Sequence, residues 1–210
     1  MRIGELAQRT GVPIPTIKYY TREGLLPPGE RLGPNQVRYA DPHVSRLKLI
    51  RAMLEVGGMS VAAAREVLAR VDVPGRTVHG VLGVAQSAVS GSGVERGTEA
   101  QRERAERVAD ALARRHGWAV KPGNPGRAAL VQLIVTYHDL ERDDLLALLD
   151  AYATAAEGLA RAELSAVAAV PTADGKVESV VLGTVLGDAA MAALRRMAQE
   201  SASARLAHPG

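Results

Sequence analysis

The N-terminal part of the chain contains a short helix that has to stop at a glycine, with another short helix just before it. The helical pattern of residues 16–23 ends at Gly24, because glycine readily takes the left-handed conformation that closes a helix. Pro13 and Pro15 precede it, where the first turn of a helix accepts proline. An earlier apolar stripe, which ends at Gly11, predicts a first helix. Helix, glycine turn and helix in this order predict a helix-turn-helix, whose second helix enters the major groove of DNA.

The second helix carries candidate DNA contacts on the side that is expected to face solvent. These candidates are Thr16, Lys18, Tyr19, Tyr20 and Arg22. Ile17 and Leu25 are expected to point into a core instead. Cationic and hydroxyl side chains suit phosphates and base edges. A solvated surface helix would have the same composition, so the neighbouring segments decide between the two interpretations.

The next segments predict a wing and two more helices. Residues 27–35 are rich in Pro and Gly, with Arg31 near the middle, and lie between short apolar pieces, which favours a small β-hairpin. Asp41 is the expected N-cap of a third helix, with Pro42 at its first position. Ser60 is the expected N-cap of a fourth helix. The apolar stripe of the third helix is Val44, Leu47, Ile50 and Leu54.

Residues 1–72 resemble the N-terminal DNA-binding domain of the MerR family of bacterial transcription regulators. The segments that carry the resemblance, in the family's order and spacing, are 3–7, 10–12, 16–20, 24–27, Arg31, Tyr39 and 47–50. The resemblance implies a winged helix-turn-helix, a homodimer and binding to a pseudo-palindromic promoter. Together with the residue chemistry, it gives the candidate DNA contacts Thr16, Lys18, Tyr19, Tyr20, Arg22, Arg31, Arg38 and Ser60.

The sequence departs from the family pattern at the reading helix and at the wing. Lys18 stands where the family usually has Arg, so a forked contact becomes a single charge, and Thr21 replaces a usual acid. The basic residue of the wing, Arg38, is moved by one position, which turns it to the other face of a strand. Either Arg38 reaches a phosphate from a twisted hairpin end, or the wing contact has passed to Arg31.

Residues 73–97 are interpreted as a short helix and a flexible linker. Gly80 and Gly83 interrupt the helical pattern of residues 77–89, each at a cost of about 1 kcal/mol relative to Ala. The Ser-Gly run of residues 90–93 then ends it. MerR-like proteins commonly have one long helix here that pairs antiparallel with its copy, and this sequence offers none. The dimer contact is therefore expected within residues 98–210.

Residues 98–210 predict an all-α bundle for dimerisation and effector binding. Helices are predicted from the capping box at Thr98 to about His116, from Asn124-Pro125 onward, and from Asp143 to about Val170. One or two further helices are predicted from Asp174 to about Leu206, with Gly183 and Gly187 as candidate kinks. A dimerisation stripe is predicted at Leu145, Leu149, Tyr152, Ala156 and Leu159. The predicted fold class is mainly α: an N-terminal winged helix-turn-helix with a small β-hairpin wing, plus this C-terminal helical bundle.

Composition narrows the classes of function. Residues 1–72 have eleven Lys and Arg against seven Asp and Glu, whereas residues 73–210 have fifteen against sixteen, so a basic head precedes a nearly neutral body. The absence of cysteine excludes disulfides, thiol chemistry and thiolate metal sites. The sequence shows neither a twenty-residue apolar run nor a signal segment, so a cytoplasmic, nucleoid-associated protein without a membrane partner is expected.

Enzymatic chemistry is not expected. GxxxxGK[ST] and GxSxG patterns are absent, and no Glu is followed by a His three residues later, as in the Glu-x-x-His motif of di-iron bundles. His116 and His138 are lone histidines without nearby cysteines, so neither a metal nor a cofactor is predicted. Trp118, Tyr137 and Tyr152 are candidate walls of an effector pocket between helices. They would equally fill the core or the dimer interface, which is the favoured interpretation for Tyr152.

Three functions remain, and the favoured one is a dimeric transcription regulator without enzymatic activity. The resemblance to the MerR family implies that the protein distorts double-stranded DNA so that RNA polymerase meets both promoter elements. This activity is expected to respond to an unknown effector that does not act through thiols. The alternative is an architectural, excisionase-like DNA-binding protein without an effector. An enzyme with an appended DNA-binding head is the third.

Overall fold

The computed structural model describes residues 1–33, 36–90 and 97–207. In chain order the elements are α1 (Ile3–Thr10), α2 (Ile14–Arg22), β1 (Glu30–Gly33), β2 (Gln36–Arg38), α3 (Asp41–Arg51, continued by a π-helical turn, Ala52–Val56), α4 (Val61–Val71), α5 (Val78–Ser90), α6 (Glu99–Arg115), α7 (Pro125–Asp139), a 3-10 segment (Asp143–Leu148), α8 (Leu149–Ala169) and α9 (Ala173–Ala207). The mainly α fold with a two-stranded wing is confirmed.

The chain divides into two compact units. Unit 1 comprises the described residues of Met1–Val89 and Val177–Gly210, and unit 2 those of Ser90–Lys176. The sequence placed residues 177–210 with the C-terminal bundle instead. They group with the head, where Val185 of α9 lies against Gly57, and the valines at 177, 180, 181 and 185 of α9 are buried. The predicted functions of the segments 1–72, 73–97 and 98–210 stay predictions.

Left-handed glycines follow both helices of the helix-turn-helix in unit 1. Gly11 closes α1 with φ of 69°, and Gly24 follows α2 with φ of 75°, so the predicted glycine stop is confirmed. A core of leucine and isoleucine side chains then holds α1 and α2 against α3. Its fully buried members include Leu6, Ile17, Leu25, Leu26, Leu47 and Ile50.

The wing is a short antiparallel hairpin. Glu30 pairs with Arg38 and Arg31 with Val37, and the register is irregular between Arg31 and Gly33. The hairpin tip, residues 34–35, lies outside the described residues. The predicted β-hairpin is therefore confirmed in its two strands.

The third helix differs from its prediction at both ends. Its first residue is Asp41, and Ala40 takes the N-cap position that was predicted for Asp41. At the other end the chain continues as a π-helical turn, Ala52–Val56. This wider turn shifts the periodicity, so Met53 is fully buried and Leu54, which the stripe predicted, is only half-buried.

The remaining helices of unit 1 are α5 and most of α9. Val81 and Ala85 of α5 are buried, and the Ser-Gly run predicted to end this helix falls largely on residues 91–96, outside the described residues. The α9 helix is continuous through Gly183 and Gly187, so the last stretch forms one helix rather than two. A Cβ on Gly57 would overlap Cγ1 of Val185, so α9 lies directly against the end of the π-helical turn.

Unit 2 is a helical bundle built from α6, α7, the 3-10 segment and α8. The Thr98 hydroxyl accepts a hydrogen bond from the Gln101 backbone N–H, and the Gln101 side-chain oxygen accepts one from the Thr98 backbone N–H. The predicted capping box is therefore confirmed. Asn124 caps α7 with Pro125 in its first turn, also as predicted. The helix predicted from Asp143 begins as a 3-10 segment. The core consists of Ala105, Ala109, Leu112, Val131, Ile134, Val135, Leu149 and Ala153.

One helix is long and apolar enough to cross a membrane by length and composition alone. This is the part Ala173–Leu206 of α9, whose most apolar 18-residue window has a mean hydropathy of 1.6. The expectation that the protein has no membrane partner stays a prediction, because this criterion alone does not test it. Core helices of globular proteins meet the same criterion, and part of this window is buried in unit 1. Length and composition therefore do not place α9 in a membrane.

Candidate nucleic-acid interface

The outward side of α2 presents two cationic side chains. Lys18 is exposed, and the Arg22 side chain is 73% exposed. The Arg22 guanidinium lies 5.3 Å from the centre of the Tyr19 ring, and its Nε lies 3.3 Å from a Glu23 carboxylate oxygen. Thr16 and Tyr19 are half-buried beside them. This side of α2 therefore offers positive charge and hydroxyl groups together, the chemistry that binds phosphates and base edges.

Tyr20 does not lie on that outward side. Ile17 is fully buried and Tyr20 is 7% exposed, because residues three apart on a helix share a face. Burial raises the pKa of the Tyr20 hydroxyl, and the Glu55 carboxylate raises it further, while Arg51 lowers it. The expectation of an exposed Tyr20 is wrong, since its ring belongs to the core under the reading helix.

Two arginines on α3 hold the reading helix in place. Arg46 donates from Nε to the Leu25 carbonyl, 2.9 Å away, and both of its terminal nitrogens donate to the Asp72 carboxylate. Its side chain is only 11% exposed. Arg46 therefore ties the segment after α2 to the end of α4.

Arg51 forms the other tie, near the turn between α1 and α2. It donates to the Thr10 carbonyl at 3.3 Å and binds the Glu55 carboxylate with two nitrogens. Neither arginine was identified as a support from the sequence. Their backbone acceptors lie 21 and 41 residues away, and helical periodicity carries no signal for such distant bonds.

The two arginines of the wing differ in their ion pairing. Arg38 is paired with Glu30 across the hairpin, with Nη2 and Oε2 2.7 Å apart. Arg31 is exposed, and no ion pair involves it among residues 1–33, 36–90 and 97–207. The wing therefore presents Arg31 as the cation whose charge is not already balanced within the described chain.

The start of α4 offers a capped helix N-terminus. Ser60 is exposed and its Oγ accepts the Ala63 N–H at 3.1 Å, so the predicted N-cap is confirmed. The positive end of a helix favours anions such as phosphate. Arg65 of α4, which the sequence did not single out, lies next to Gly24: its Cδ is 4.0 Å from where a Cβ of Gly24 would be.

The three predicted effector residues all belong to unit 2. Trp118 is half-buried and packs against the unit 2 core, with its ring 5.2 Å from that of His116. Tyr137 is half-buried and Tyr152 is 41% exposed.

The two histidines of unit 2 lie beside carboxylates. His116 Nε2 is 3.3 Å from Asp150 and its Nδ1 is 3.8 Å from Glu157, while His138 Nδ1 is hydrogen-bonded to Asp143. In the described ranges, no three His, Cys, Asp or Glu side chains are grouped so that they could hold a metal ion.

Comparison with known proteins assigns the head. Residues 1–71 match the family described as "MerR HTH family regulatory protein". The chain is 46% identical over 56 residues to the mercuric resistance operon regulatory protein of Bacillus cereus, a match that covers 27% of this chain and 42% of that protein. It is 36% identical over 87 residues to the HTH-type transcriptional regulator HmrR of Rhizobium leguminosarum bv. viciae, covering 41% of this chain and 66% of HmrR. The matches thus span less than two thirds of these relatives.

A solved structure resembles almost the whole chain. It is the crystal structure of the "putative transcriptional regulator SCO5550" from Streptomyces coelicolor A3(2), with a TM-score of 0.68 and 33% sequence identity. The superposition covers 98% of this chain and 97% of that one. The similarity to described regulators therefore extends beyond the head to the helices that follow it.

Proposed function

We propose that the protein is a dimeric, sequence-specific regulator that binds a pseudo-palindromic promoter, because residues 1–71 are a helix-turn-helix domain of the MerR family. The coarser statement, a DNA-binding transcription regulator, follows from the family match and from relatives that are named as regulators rather than enzymes. The dimer, the form of the DNA site and the response to an effector are the proposed part.

The observation that carries the proposal is the arrangement of α2. Gly11 closes the preceding helix and Gly24 follows α2, both in the left-handed conformation. Ile17 and Tyr20 anchor α2 in the core, and Lys18 and Arg22 remain on its outward side. A helix that is supported in this way enters a major groove as a rigid body, with its cations near phosphates. The surplus of four positive charges in residues 1–72 adds long-range attraction to DNA.

Arg31 is the proposed DNA contact of the wing, and the N-terminus of α4 at Ser60 is a second proposed contact with DNA. An arginine that already binds Glu30, as Arg38 does, would have to give up that ion pair before it could bind a phosphate. Arg31 has no such pair among the described residues, and so binds an anion without that loss. The hairpin then follows the DNA backbone beside the groove that α2 enters.

The proposed mechanism is distortion of the promoter DNA. The dimer lies between two promoter elements and bends the duplex, at a cost of about 1–6 kcal/mol that contacts to phosphates offset. RNA polymerase then meets both elements. The effector is proposed to act without thiol chemistry, since the chain has no cysteine. Trp118, Tyr137 and Tyr152 stay predicted effector contacts, and the protein is proposed to act in the cytoplasm on the nucleoid.

Lys18→Ala is expected to weaken DNA binding and to reduce its dependence on salt. Loss of one phosphate contact lowers the slope of log affinity against log salt concentration by about one unit. The measurement is a titration of the full chain with a duplex selected from genomic DNA by the wild-type protein, repeated at four or five salt concentrations.

Lys121→Ala is the matched control, since it removes the same charge from an exposed position in unit 2. It is expected to leave both affinity and salt slope close to wild type. Identical slopes for the wild type and Lys18→Ala would contradict the placement of α2 in the DNA groove.

A further inference from the structure

The π-helical turn at the end of α3 lies between α9 and the helices of the head. In this turn, Ala52–Val56, the Gly57 N–H donates to the Ala52 carbonyl five residues back, at 2.9 Å. A Cβ on Gly57 would overlap Val185 Cγ1, so α9 rests directly on the end of the turn. Single π-helical turns are rare and are frequently found at functional sites. The turn is therefore placed to pass the packing of α9 on to the helices beyond it.

The sequence of the turn fits two helical arrangements. Leu54 follows Ile50 by four residues, so a regular α-helix would bury both side chains on one face. In the structure the wider turn buries Met53 fully instead, and Leu54 is half-buried. Leucine and methionine are similar in volume and both apolar, so either side chain fills the space that follows Ile50. The end of α3 therefore has two arrangements that bury similar side chains.

The contact between Val185 and Gly57 selects the π-helical arrangement. The position of a Cβ on Gly57 lies 2.9 Å from the Met53 carbonyl oxygen and 3.5 Å from that of Ala52, so the glycine fits tightly between these carbonyls and Val185. Each residue of an α-helix turns the chain by about 100°. Without the extra residue of the wider turn, Gly57 would rotate away from Val185 by roughly that angle. The contact with α9 therefore exists only while the turn is π-helical.

On its other side the turn supports the helix-turn-helix through Glu55. The Glu55 carboxylate accepts from Nε and Nη2 of Arg51, at 2.9 and 2.8 Å. Arg51 Nη1 lies 3.3 Å from the Thr10 carbonyl oxygen and 3.8 Å from where a Cβ of Gly11 would be, at the turn between α1 and α2. Burial raises the pKa of the Tyr20 hydroxyl and the Glu55 carboxylate raises it further, so Glu55 also lies near the buried ring of α2.

We propose that α9 holds the head in its DNA-reading form through this turn, with Glu55 as a positioning residue. Val185 keeps the turn π-helical, the turn presents Glu55 to Arg51, and Arg51 holds the backbone between α1 and α2. When Val185 leaves Gly57, Leu54 replaces Met53 in the core and Glu55 moves relative to Arg51. The proposal rests on the proposed function, because binding to DNA defines which form of the turn is the active one.

DNA and the contact with α9 favour the same form of the turn. A contact shifts an equilibrium between two forms only if it differs between them, and the contact of Val185 with Gly57 meets this condition. DNA that binds the supported helix-turn-helix also favours the π-helical form. Because such coupling is reciprocal, specific DNA is expected to restore the π-helical turn in a chain whose contact with α9 is weakened.

The methyl group of Met53 reports the form of the turn in the full chain. The measurement is NMR of methyl-labelled methionine with a soluble gadolinium chelate, which broadens exposed methyl signals. Met53 is fully buried and is expected to be protected in the wild type. Val185→Ala is expected to expose the methyl, and specific DNA to restore its protection. Val177→Ala is the matched control, since it truncates another buried valine of α9, and it is expected to leave Met53 protected.

Glu55→Gln tests the positioning role separately from the form of the turn. This variant is expected to bind the selected duplex about tenfold more weakly, the equivalent of one charge-assisted hydrogen bond, while Met53 stays protected. Removal of a negative charge ordinarily strengthens binding to DNA, so a weakening distinguishes positioning from simple charge. Glu66→Gln is the matched control, because it removes an exposed carboxylate from α4, and it is expected to bind at least as tightly as the wild type.

A double-mutant cycle tests whether Val185 and Glu55 act through the same support. Val185→Ala alone is expected to weaken DNA binding about tenfold, and the double variant with Glu55→Gln by about the same factor. Independent effects would multiply to about a hundredfold. Val185→Ala combined with Lys18→Ala is the control pair, and its two effects are expected to multiply, because Lys18 is proposed to contact DNA directly.

The outcomes separate this proposal from the proposed function. A wild-type chain that selects no specific duplex overturns the proposed function, and the protection of Met53 still decides the form of the turn. If the wild type binds a specific duplex, the proposal alone is overturned by a protected Met53 in Val185→Ala or by equal exposure in Val177→Ala. Unweakened binding by Glu55→Gln, or effects of Val185→Ala and Glu55→Gln that multiply, also overturns it.

Discussion

Replacing Tyr20 by alanine is expected to lower the free energy of unfolding of unit 1 by about 3–5 kcal/mol, the usual loss for a buried aromatic side chain. Tyr20 is 7% exposed and lies on the same side of α2 as the fully buried Ile17. Domains of this size are stable by about 5–15 kcal/mol, so the variant is expected to be partly unfolded near 37 °C. Urea denaturation followed by circular dichroism measures the change.

Tyr19→Ala is the matched control, because it removes the same side chain from the half-buried neighbouring position. A smaller loss of about 1 kcal/mol is expected there. Tyr20→Phe keeps the buried ring and is expected to unfold near the wild-type midpoint. Weaker DNA binding by Tyr20→Phe at wild-type stability would assign the Tyr20 hydroxyl to the DNA contact. Equal losses for Tyr19→Ala and Tyr20→Ala would contradict the burial of Tyr20.

Gly57→Ala is expected to destabilise unit 1 by about 1–3 kcal/mol through overpacking. The added Cβ would overlap Val185 Cγ1 and lie 2.9 Å from the Met53 carbonyl oxygen, which is backbone and cannot rotate away. The φ of Gly57 is −75°, so the expected loss comes from this contact and not from backbone strain. Thermal and urea denaturation of the full chain measure it.

Gly83→Ala provides the control for Gly57→Ala. A Cβ at Gly83 meets nothing within 4 Å, and the residue lies within α5, where alanine is favoured over glycine by about 1 kcal/mol. This variant is expected to be slightly more stable than the wild type. A wild-type midpoint for Gly57→Ala would show that α9 does not pack against the π-helical turn.

Local signals made the helix-turn-helix and the helix caps predictable. Gly11 and Gly24 sit where left-handed residues end helices, and their positive φ values agree with the sequence. The caps at Ser60, Thr98 and Asn124 were predictable for the same reason, since each side chain bonds a backbone N–H three residues away.

The features of the fold that the sequence did not predict depend on contacts that residue spacing does not encode. The π-helical turn after α3 adds a residue to one turn, so it exchanged the burial of Met53 and Leu54 without any composition signal. The packing of Val185 at Gly57 joins residues more than a hundred positions apart, and helical periodicity carries no signal for so distant a contact, so the sequence groups α9 with the C-terminal bundle whereas the structure groups residues 177–207 with unit 1. The hydroxyl group of Tyr20 suggests an exposed DNA contact, whereas its spacing of three residues from the buried Ile17 places its ring in the core.

The wing was predictable as a hairpin, whereas the partners of its arginines were not. The Pro- and Gly-rich composition of residues 27–35 indicated the turn. Only the register, which sets Glu30 opposite Arg38, distinguishes the paired arginine from Arg31. Register in a short strand depends on the turn geometry, and a single sequence does not fix it.

The most direct test of the central claim, that α2 of this chain reads promoter DNA, is genome-wide mapping of bound sites by crosslinking and immunoprecipitation. The wild-type chain is expected to be enriched at a small set of promoters that share an inverted repeat. Lys18→Ala, expressed to the same level and folded, is expected to lose most of that enrichment. Uniform coverage by the wild type, or an unchanged set of sites with Lys18→Ala, would contradict the claim.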